Sequence, residues 1–208
     1  MTNKVFDIAN PYYGLLDDAQ IIELCSGDRP MLSPFERTQK GKPSYGLGSF
    51  GYDLRLAEKF YRQITDDAGI LDPCEDNSAE WYPCWENKHI IIGPGETILV
   101  GSFEAFDMPE DVMGLCFGKS SYARTGAIVN LTPVESSWRG KLLTIEISNL
   151  NLAHPIRLHV GQGIAQIVFF RGQTPLYGYG ERESGGAYQN QQGICHDQAH
   201  AIRIGGGK

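Results

Sequence analysis

The sequence predicts a mainly β protein, an antiparallel sandwich or distorted barrel in one domain. From residue 88 onward, short runs rich in β-branched residues alternate with Gly, Pro or Asp every few residues. Helical periodicity is almost absent from the same region. A chain of 208 residues is long enough to bury a proper core. These observations favour one β domain spanning residues 1–208.

Residues 1–50 are expected to form an N-terminal arm with one short helix. Asp17 or Asp18 can cap a helix over residues 17–25, and Gly27 follows its end. Residues 28–48 are rich in Pro, Gly, Ser and charge, which predicts an irregular segment.

Residues 51–182 are expected to form the β core. The stretch from Tyr52 to Leu56 alternates like a half-buried strand, whereas residues 65–87 have the composition of a long polar loop. Further strands are predicted in the runs HIII, TILVGSFEAF, GAIVNLTPV, KLLTIEISN, PIRLHV and IAQIVFF. The Gly- and Gln-rich residues 183–208 are expected to be a mobile C-terminal arm and tail.

Composition narrows the function classes. The formal net charge of −7 disfavours a nucleic-acid surface, which normally shows a basic face. No apolar run approaches the length of a membrane span, and the N-terminus lacks a secretory pattern. The five cysteines are an odd number without close pairing, so we expect reduced thiols and a cytoplasmic protein. From the charge and the apolar runs, we expect no nucleic-acid or membrane partner.

The stretch CFGKSSYARTGAIVN, residues 116–130, stands out in this acidic chain. It places Lys119, Ser120 and Arg124 beside a turn between two segments that are predicted to be buried strands. Cations, hydroxyls and backbone N–H groups at such a turn are the groups that bind phosphate. The stretch therefore predicts a site for an anionic small molecule.

Glu146, in LLTIEISN, is the second candidate. Its apolar neighbours indicate a core strand, where a carboxylate rarely lies without a partner. Alternation leaves a second interpretation open, because Thr144, Glu146 and Ser148 share one face that can point to solvent. Arg124 and the serines are available partners for a carboxylate in a pocket.

The sequence does not favour a zinc site. His196 and His200, beside Cys195, are spaced as on one helix face, but the chain lacks the H-x-E and P-C-x-x-C motifs of zinc deaminases. The His pair also lacks the Glu of a metalloprotease helix. We therefore expect no transition metal.

Taken in order, several motifs resemble the dCTP deaminase family. They are SPFERTQKGKPSYGLGSFGYDLRLAEKF, GLCFGKSSYARTGAIVNLTPVESSWRG, LTIEISN, GQGIAQIVFF and AYQNQQGI. The resemblance covers nearly the whole chain apart from the loop at about 65–87 and the extreme tail. It implies the distorted antiparallel barrel of the trimeric dUTPases, with active sites built where subunits of a homotrimer meet.

The resemblance implies deamination of dCTP to dUTP and ammonia without a transition metal, with Mg²⁺ accompanying the triphosphate. Adding water to C4 of cytosine needs a base for the water and an acid for N3 and the leaving amine, and a buried carboxylate can shuttle both protons. By resemblance Glu146 is that carboxylate, Ser120 positions the water, and Arg124 balances the charge of the pocket. Ser120 and Arg124 would come from one subunit and Glu146 from its neighbour.

The resemblance to the dCTP deaminase family also implies a set of nucleotide-binding residues. One departure is Ala187, where many relatives have a lysine that contacts phosphate, and Arg182 is the candidate replacement. The implied substrate-binding set is Lys119, Ser121, Tyr122, Ala123, Thr132, Pro133, Thr144, Ile145, Gln166, Tyr179, Arg182 and Gln191.

Two alternatives remain open. The same scaffold can support a dUTP pyrophosphatase, alone or combined with deamination, although TPVESSWRG lacks the Ile-Asp-Pro-Gly segment of relatives that also hydrolyse dUTP. A nucleotide-binding protein without catalysis is the alternative from another class.

Overall fold

The structure is a computed structural model that describes residues 13–64, 69–181 and 186–198. Antiparallel strands dominate it, which confirms the predicted fold class. Two α-helices and one 3₁₀ turn accompany them within the described ranges. The helices are α1 Asp18–Leu24 and α2 Ser120–Ala123, and the 3₁₀ turn is Ser78–Glu80. The strands are β1 Gly14–Leu15, β2 Leu32–Ser33, β3 Gly46–Leu47, β4 Tyr52–Gln63, β5 Trp81–Trp85, β6 His89–Ile92, β7 Thr97–Ser102, β8 Ala105–Asp107, β9 Val112–Gly118, β10 Ala127–Val129, β11 Thr132–Val134, β12 Arg139–Gly140, β13 Thr144–Asn149, β14 Ile156–His159 and β15 Gly163–Arg171.

The main sheet curls round on itself. Its strands run in the order β10-β13-β7-β4-β15-β9-β11, and all these pairings are antiparallel. The two strands at the ends of this order, β10 and β11, are separated in the chain by Asn130 and Leu131 only. A connection this short cannot span an open sheet of seven strands, so the sheet must bend until its ends approach each other.

The hydrophobic core fills the interior of this curl. Alternating residues of β13 and β15 point inward, so that Ile145, Ile147, Ile167 and Phe169 are buried. Burying apolar side chains of this size stabilises each by roughly 1.5–3 kcal/mol relative to leaving it in water. The core fixes which face of β13 is left for polar residues.

Helix α1 confirms the predicted N-terminal helix. Asp17 caps it by accepting a 2.9 Å hydrogen bond from the Gln20 backbone, and the Gln20 side chain accepts one of 3.1 Å from the Asp17 backbone. Ile21 is the fully buried residue of the helix and packs into the core. The residues that cap the helix and anchor it are therefore both visible in the sequence.

The prediction of a loop over residues 65–87 is wrong for its second half. Residues 81–85 form β5, which pairs antiparallel with the end of β4 from Lys59 to Gln63. Trp81 and Trp85 supply strand-favouring aromatics, but the flanking Pro and acidic residues hide the pattern. Pairing with β4, a contact between residues distant in sequence, makes residues 81–85 a strand.

A buried ion pair links β4 to the turn after β7. Glu104 is fully buried and accepts hydrogen bonds from the Arg55 side chain at 2.6 Å and the Arg55 backbone at 3.0 Å. Burial raises the pKa of Glu104, and the hydrogen bonds from Arg55 oppose that rise. The pair gives the fully buried Glu104 a counter-ion in Arg55, which is itself largely buried.

The C-terminal segment packs on the rest of the chain. Gln191 and Ile194 are buried, and the Trp138 indole donates a 2.7 Å hydrogen bond to the Tyr188 carbonyl. The structure thus describes residues 186–198 in a docked position, while the predicted mobility without ligand stays a prediction. The remainder of the tail, including His200, lies outside the described residues.

None of the helices in the described ranges is long and apolar enough to cross a membrane. All five cysteines are free, with Cys116 buried in the core.

Candidate active site

Glu146 lies at the wall of a cavity of about 500 Å³. It is half-buried on β13, between the buried Ile145 and Ile147. Strand alternation therefore places it on the polar face, as the sequence allowed, but that face looks into a cavity. A volume of this size suits a small organic ligand.

Two polar side chains approach the Glu146 carboxylate. Asn130 and Thr132 each place a donor 3.5 Å from Glu146 Oε2, a distance that makes only weak hydrogen bonds. Among the described residues, the carboxylate therefore has no strong hydrogen-bond partner. It is available to a substrate or to groups from another chain.

The charge of this carboxylate acts on a buried thiol, Cys116. Cys116 on β9 pairs with Thr132, and burial together with the charge of Glu146 raises the pKa of its thiol to about 12. Cys116 is consequently neutral and belongs to the hydrophobic core, not to the lining of the cavity.

The C-terminal segment closes one side of the Glu146 cavity. The Gln191 side chain donates to the Thr144 hydroxyl at 2.5 Å, and the Cys195 backbone donates to the same hydroxyl at 3.0 Å. The Tyr179 hydroxyl accepts a 3.2 Å hydrogen bond from the Tyr188 backbone N–H. Of the predicted residues, Glu146, Thr132, Pro133, Thr144, Tyr179 and Gln191 all line this one cavity.

The other half of the predicted site lies elsewhere in the chain. Ser121, Tyr122 and Arg124 line a second cavity, of about 550 Å³, that shares no lining residue with the first. Ser120 is exposed at the start of α2 and lines neither of these two cavities. One chain does not bring Ser120 or Arg124 to Glu146.

Lys119 is engaged with a buried carboxylate. Its ammonium group forms an ion pair with Asp53 and lies 3.3 Å from the Ser44 hydroxyl. Both partners lie on or near β4, far from Lys119 in sequence. A phosphate that contacts Lys119 would have to share it with Asp53.

The remaining predicted residues have varied positions. The Ile145 side chain is buried in the core, and Gln166 is half-buried on β15. Ala123 is exposed in α2. Arg182 lies outside the described residues.

Sequence reasoning missed one wall of the Glu146 cavity. Leu71, Pro73 and Trp81 come from the segment that was predicted to be a loop, and His196 and Asp197 come from the tail. His196 packs edge-on against Tyr61 with ring centroids 4.6 Å apart. The aromatic run WYPCW was the available signal, since aromatic residues at alternate positions favour a strand.

The Glu146 cavity is acidic. Glu135 and Asp197 line it together with Glu146, and no Lys or Arg of the described residues does so. Three carboxylates in the described ranges thus line the cavity, of which the sequence had singled out Glu146 alone. Across the described ranges, no three His, Cys, Asp or Glu side chains converge so as to hold a metal ion.

Comparison with known proteins identifies the family. The family described as dCTP deaminase-like matches residues 15–172. A dCTP deaminase of Acidobacterium capsulatum is 40% identical over 167 residues, which cover 79% of this chain and 88% of that protein. A dCTP deaminase of Pelagibacter ubique is 38% identical over 183 residues, covering 86% of this chain and 96% of that protein. The chain belongs to the dCTP deaminase-like family.

A solved structure supports the fold. The crystal structure of 2'-deoxycytidine 5'-triphosphate deaminase from Agrobacterium tumefaciens matches with a TM-score of 0.58 and 22% sequence identity. The match covers 80% of this chain but 51% of that chain, so this chain spans about half the length of that protein. At this identity the likeness establishes a shared fold.

Proposed function

We propose that the protein hydrolyses dCTP to dUTP and ammonia. The observation that carries the proposal is the position of Glu146, a half-buried carboxylate with weak partners at the wall of a ligand-sized cavity. The chain's membership of the dCTP deaminase-like family, and the names of its relatives, support dCTP as the substrate.

The chemistry requires one group that can both accept and donate protons. Glu146 takes a proton from water as the oxygen attacks C4 of cytosine, and passes it to N3. The tetrahedral intermediate then collapses: a proton moves through Glu146 from the new hydroxyl to the amine, the C4–N4 bond breaks, and ammonia leaves. N3 keeps the first proton, so the product is the uracil nucleotide.

A homotrimer with shared sites would unite the two halves of the machinery. Glu146 lies in one cavity, and Arg124 and Ser121 lie in another with no lining residue in common. In the proposed assembly, the Arg124 cavity of one subunit faces the Glu146 cavity of the next. Ser120 then positions the attacking water and Arg124 offsets the charge of Glu146.

Mg²⁺ enters this proposal with the triphosphate, and no transition metal takes part. Hard cations such as Mg²⁺ prefer phosphate oxygens as ligands. The five free cysteines are typical of a reducing compartment, which supports a cytoplasmic reaction.

The test is to incubate the purified protein with dCTP, dCMP, CTP and dUTP in the presence of Mg²⁺. Ammonia and dUTP are expected from dCTP, and pretreatment with a zinc-selective chelator should leave the rate unchanged. Pyrophosphate and dUMP from dUTP, with no ammonia from dCTP, would indicate a dUTP pyrophosphatase. Binding of dCTP without any product would indicate a nucleotide-binding protein, and either result would refute the deaminase proposal.

A further inference from the structure

The second cavity is strongly cationic. Lys42, Arg124 and Arg157 line it together with His154 and His159, and no Asp or Glu of the described residues does so. This concentration of positive charge occurs in a chain whose formal net charge is −7. A cavity with one sign of charge attracts ligands of the opposite sign.

These cations have no carboxylate partners in the described part of the chain. Lys42, Arg124 and Arg157 form none of its ion pairs. Seven other described cations do pair with a carboxylate, namely Arg29, Lys40, Arg55, Arg62, Lys119, Arg139 and Arg171. The three cations are therefore free to bind an anion.

The fold brings Arg157 and Arg124 to the lining of the same cavity. On β14, Arg157 and His159 are exposed while Ile156 and Leu158 are buried, so alternation fixes the direction of Arg157. The turn after β13 is tied to the end of α2, because the Asn151 side chain donates to the Thr125 carbonyl at 3.3 Å.

A close backbone approach reinforces this link. The Leu150 backbone donates to the Gly126 carbonyl at 2.9 Å, and Gly126 has a φ of +99°. A Cβ at Gly126 would lie 2.9 Å from the Asn151 Cβ, too close for any other residue. The turn that carries His154 is thereby fixed against the loop that carries Arg124.

The two cavities are complementary. The Glu146 cavity has carboxylates without Lys or Arg, so it cannot balance the charge of a triphosphate from the described residues of its own chain. The second cavity has the cations but no acid–base carboxylate. A nucleoside triphosphate, with a neutral base and an anionic tail, matches the pair.

We propose that Lys42 and Arg157 form a subsite for the terminal phosphates of the nucleotide, next to Arg124, and so make the enzyme select triphosphates over monophosphates. This inference rests on the proposed function, because it assigns the phosphate end of the same substrate. Arginine and lysine bind phosphate through charge-assisted hydrogen bonds. The subsite supplies the positive charge that the arm lacks at Ala187.

The test measures phosphate binding directly and separately from catalysis. Binding of inorganic tripolyphosphate to the intact protein is measured by calorimetry for the wild type, Lys42→Gln, Arg157→Gln and the double variant. Lys88→Gln is the matched control, because Lys88 is an exposed cation that does not line the cavity. This substitution removes one positive charge, as each cavity substitution does. Each cavity substitution should weaken binding about tenfold, and Lys88→Gln should leave it nearly unchanged.

Kinetics and assembly give the second readout. In both cavity variants the KM for dCTP should rise about tenfold with little change in kcat, as expected for uniform binding energy. If the wild type releases ammonia but the cavity variants keep its tripolyphosphate affinity and its KM for dCTP, the subsite is overturned and the proposed function stands. Loss of the trimer in the variants would overturn it too, since the cations would then contact carboxylates of a neighbouring subunit. Binding of tripolyphosphate that depends on Lys42, in a protein that releases no ammonia, would support the subsite and refute the deaminase proposal.

Discussion

The side-chain amide of Gln191 donates a 2.5 Å hydrogen bond to the hydroxyl of Thr144, two residues before Glu146 on β13. The same hydroxyl accepts a 3.0 Å hydrogen bond from the Cys195 backbone. One side-chain oxygen thus ties two points of the C-terminal segment to the strand that carries the candidate acid–base group. The position of the arm and the closure of the Glu146 cavity depend on each other.

Replacing Thr144 with Val should release the arm. The substitution keeps the shape of the side chain but leaves two donors without their acceptor, a loss of about 1–3 kcal/mol. We expect faster hydrogen exchange and faster proteolysis within residues 186–198, together with a lower kcat as water enters the cavity. Thr97→Val is the control, because the Thr97 hydroxyl contacts Ser148 at 2.8 Å and makes no hydrogen bond to the described part of the arm. Equal protection of the arm in both variants would show that Thr144 does not hold it.

Glu146→Gln should abolish ammonia release while the fold and nucleotide binding persist. An amide of nearly the same shape cannot accept or return a proton, and loss of such a group typically costs about 10²–10⁴-fold in rate. The measurement is ammonia release from dCTP, with circular dichroism and nucleotide binding as controls for folding. Turnover near the wild-type rate would remove Glu146 from the mechanism.

Mixed trimers test whether sites are shared. Arg124→Ala and Glu146→Gln subunits should each be inactive alone, and should regain part of the activity when mixed under conditions that allow subunit exchange. Recovery is expected because some sites then combine an intact Arg124 from one parent with an intact Glu146 from the other. Exchange should be verified with differently tagged subunits. No recovery after verified exchange would place each site within one chain.

Docking of the arm should weaken in mild acid. His196 packs against Tyr61, and burial lowers the pKa of its imidazole, with Asp76 opposing and Lys59 reinforcing the effect. In the released arm, the His196 imidazole has its ordinary pKa of about 6.5. The released state therefore binds more protons than the docked state as the pH falls, and acid favours release. Proteolytic nicking within residues 186–198 should therefore increase from about pH 7 to about pH 5. His196→Gln should flatten this dependence, and an equal pH response in that variant would assign it to another group.

Removing the buried charge of Glu104 should destabilise the whole fold. Glu104→Gln leaves the largely buried Arg55 without its counter-ion, which typically costs about 3–5 kcal/mol. Thermal unfolding should show a large fall in Tm. Arg29→Gln breaks the more exposed pair with Asp107 and should cost about 0–1 kcal/mol. Similar small losses in both variants would mean that the buried pair adds little to stability.

Local pattern in the sequence determined much of this protein. The spacing of apolar and turn residues predicted the antiparallel β fold, and the Asp17 cap predicted α1. Alternation around Glu146 placed it on the polar face of its strand. These features follow from residues that are neighbours in the chain, so their periodicity reports them directly.

The tertiary structure decided what depends on distant pairs. Strand β5 exists because it pairs with β4, Lys119 is held by Asp53, and Trp138 holds the arm through the Tyr188 carbonyl. The curl of the sheet puts the Glu146 and Arg124 of one chain into separate cavities of opposite charge. The predicted site, which takes Glu146 from one subunit and Arg124 from its neighbour, stays a prediction. Hydrogen bonds and ion pairs between residues far apart in sequence leave no periodic signal in the chain, and only folding brings those residues together.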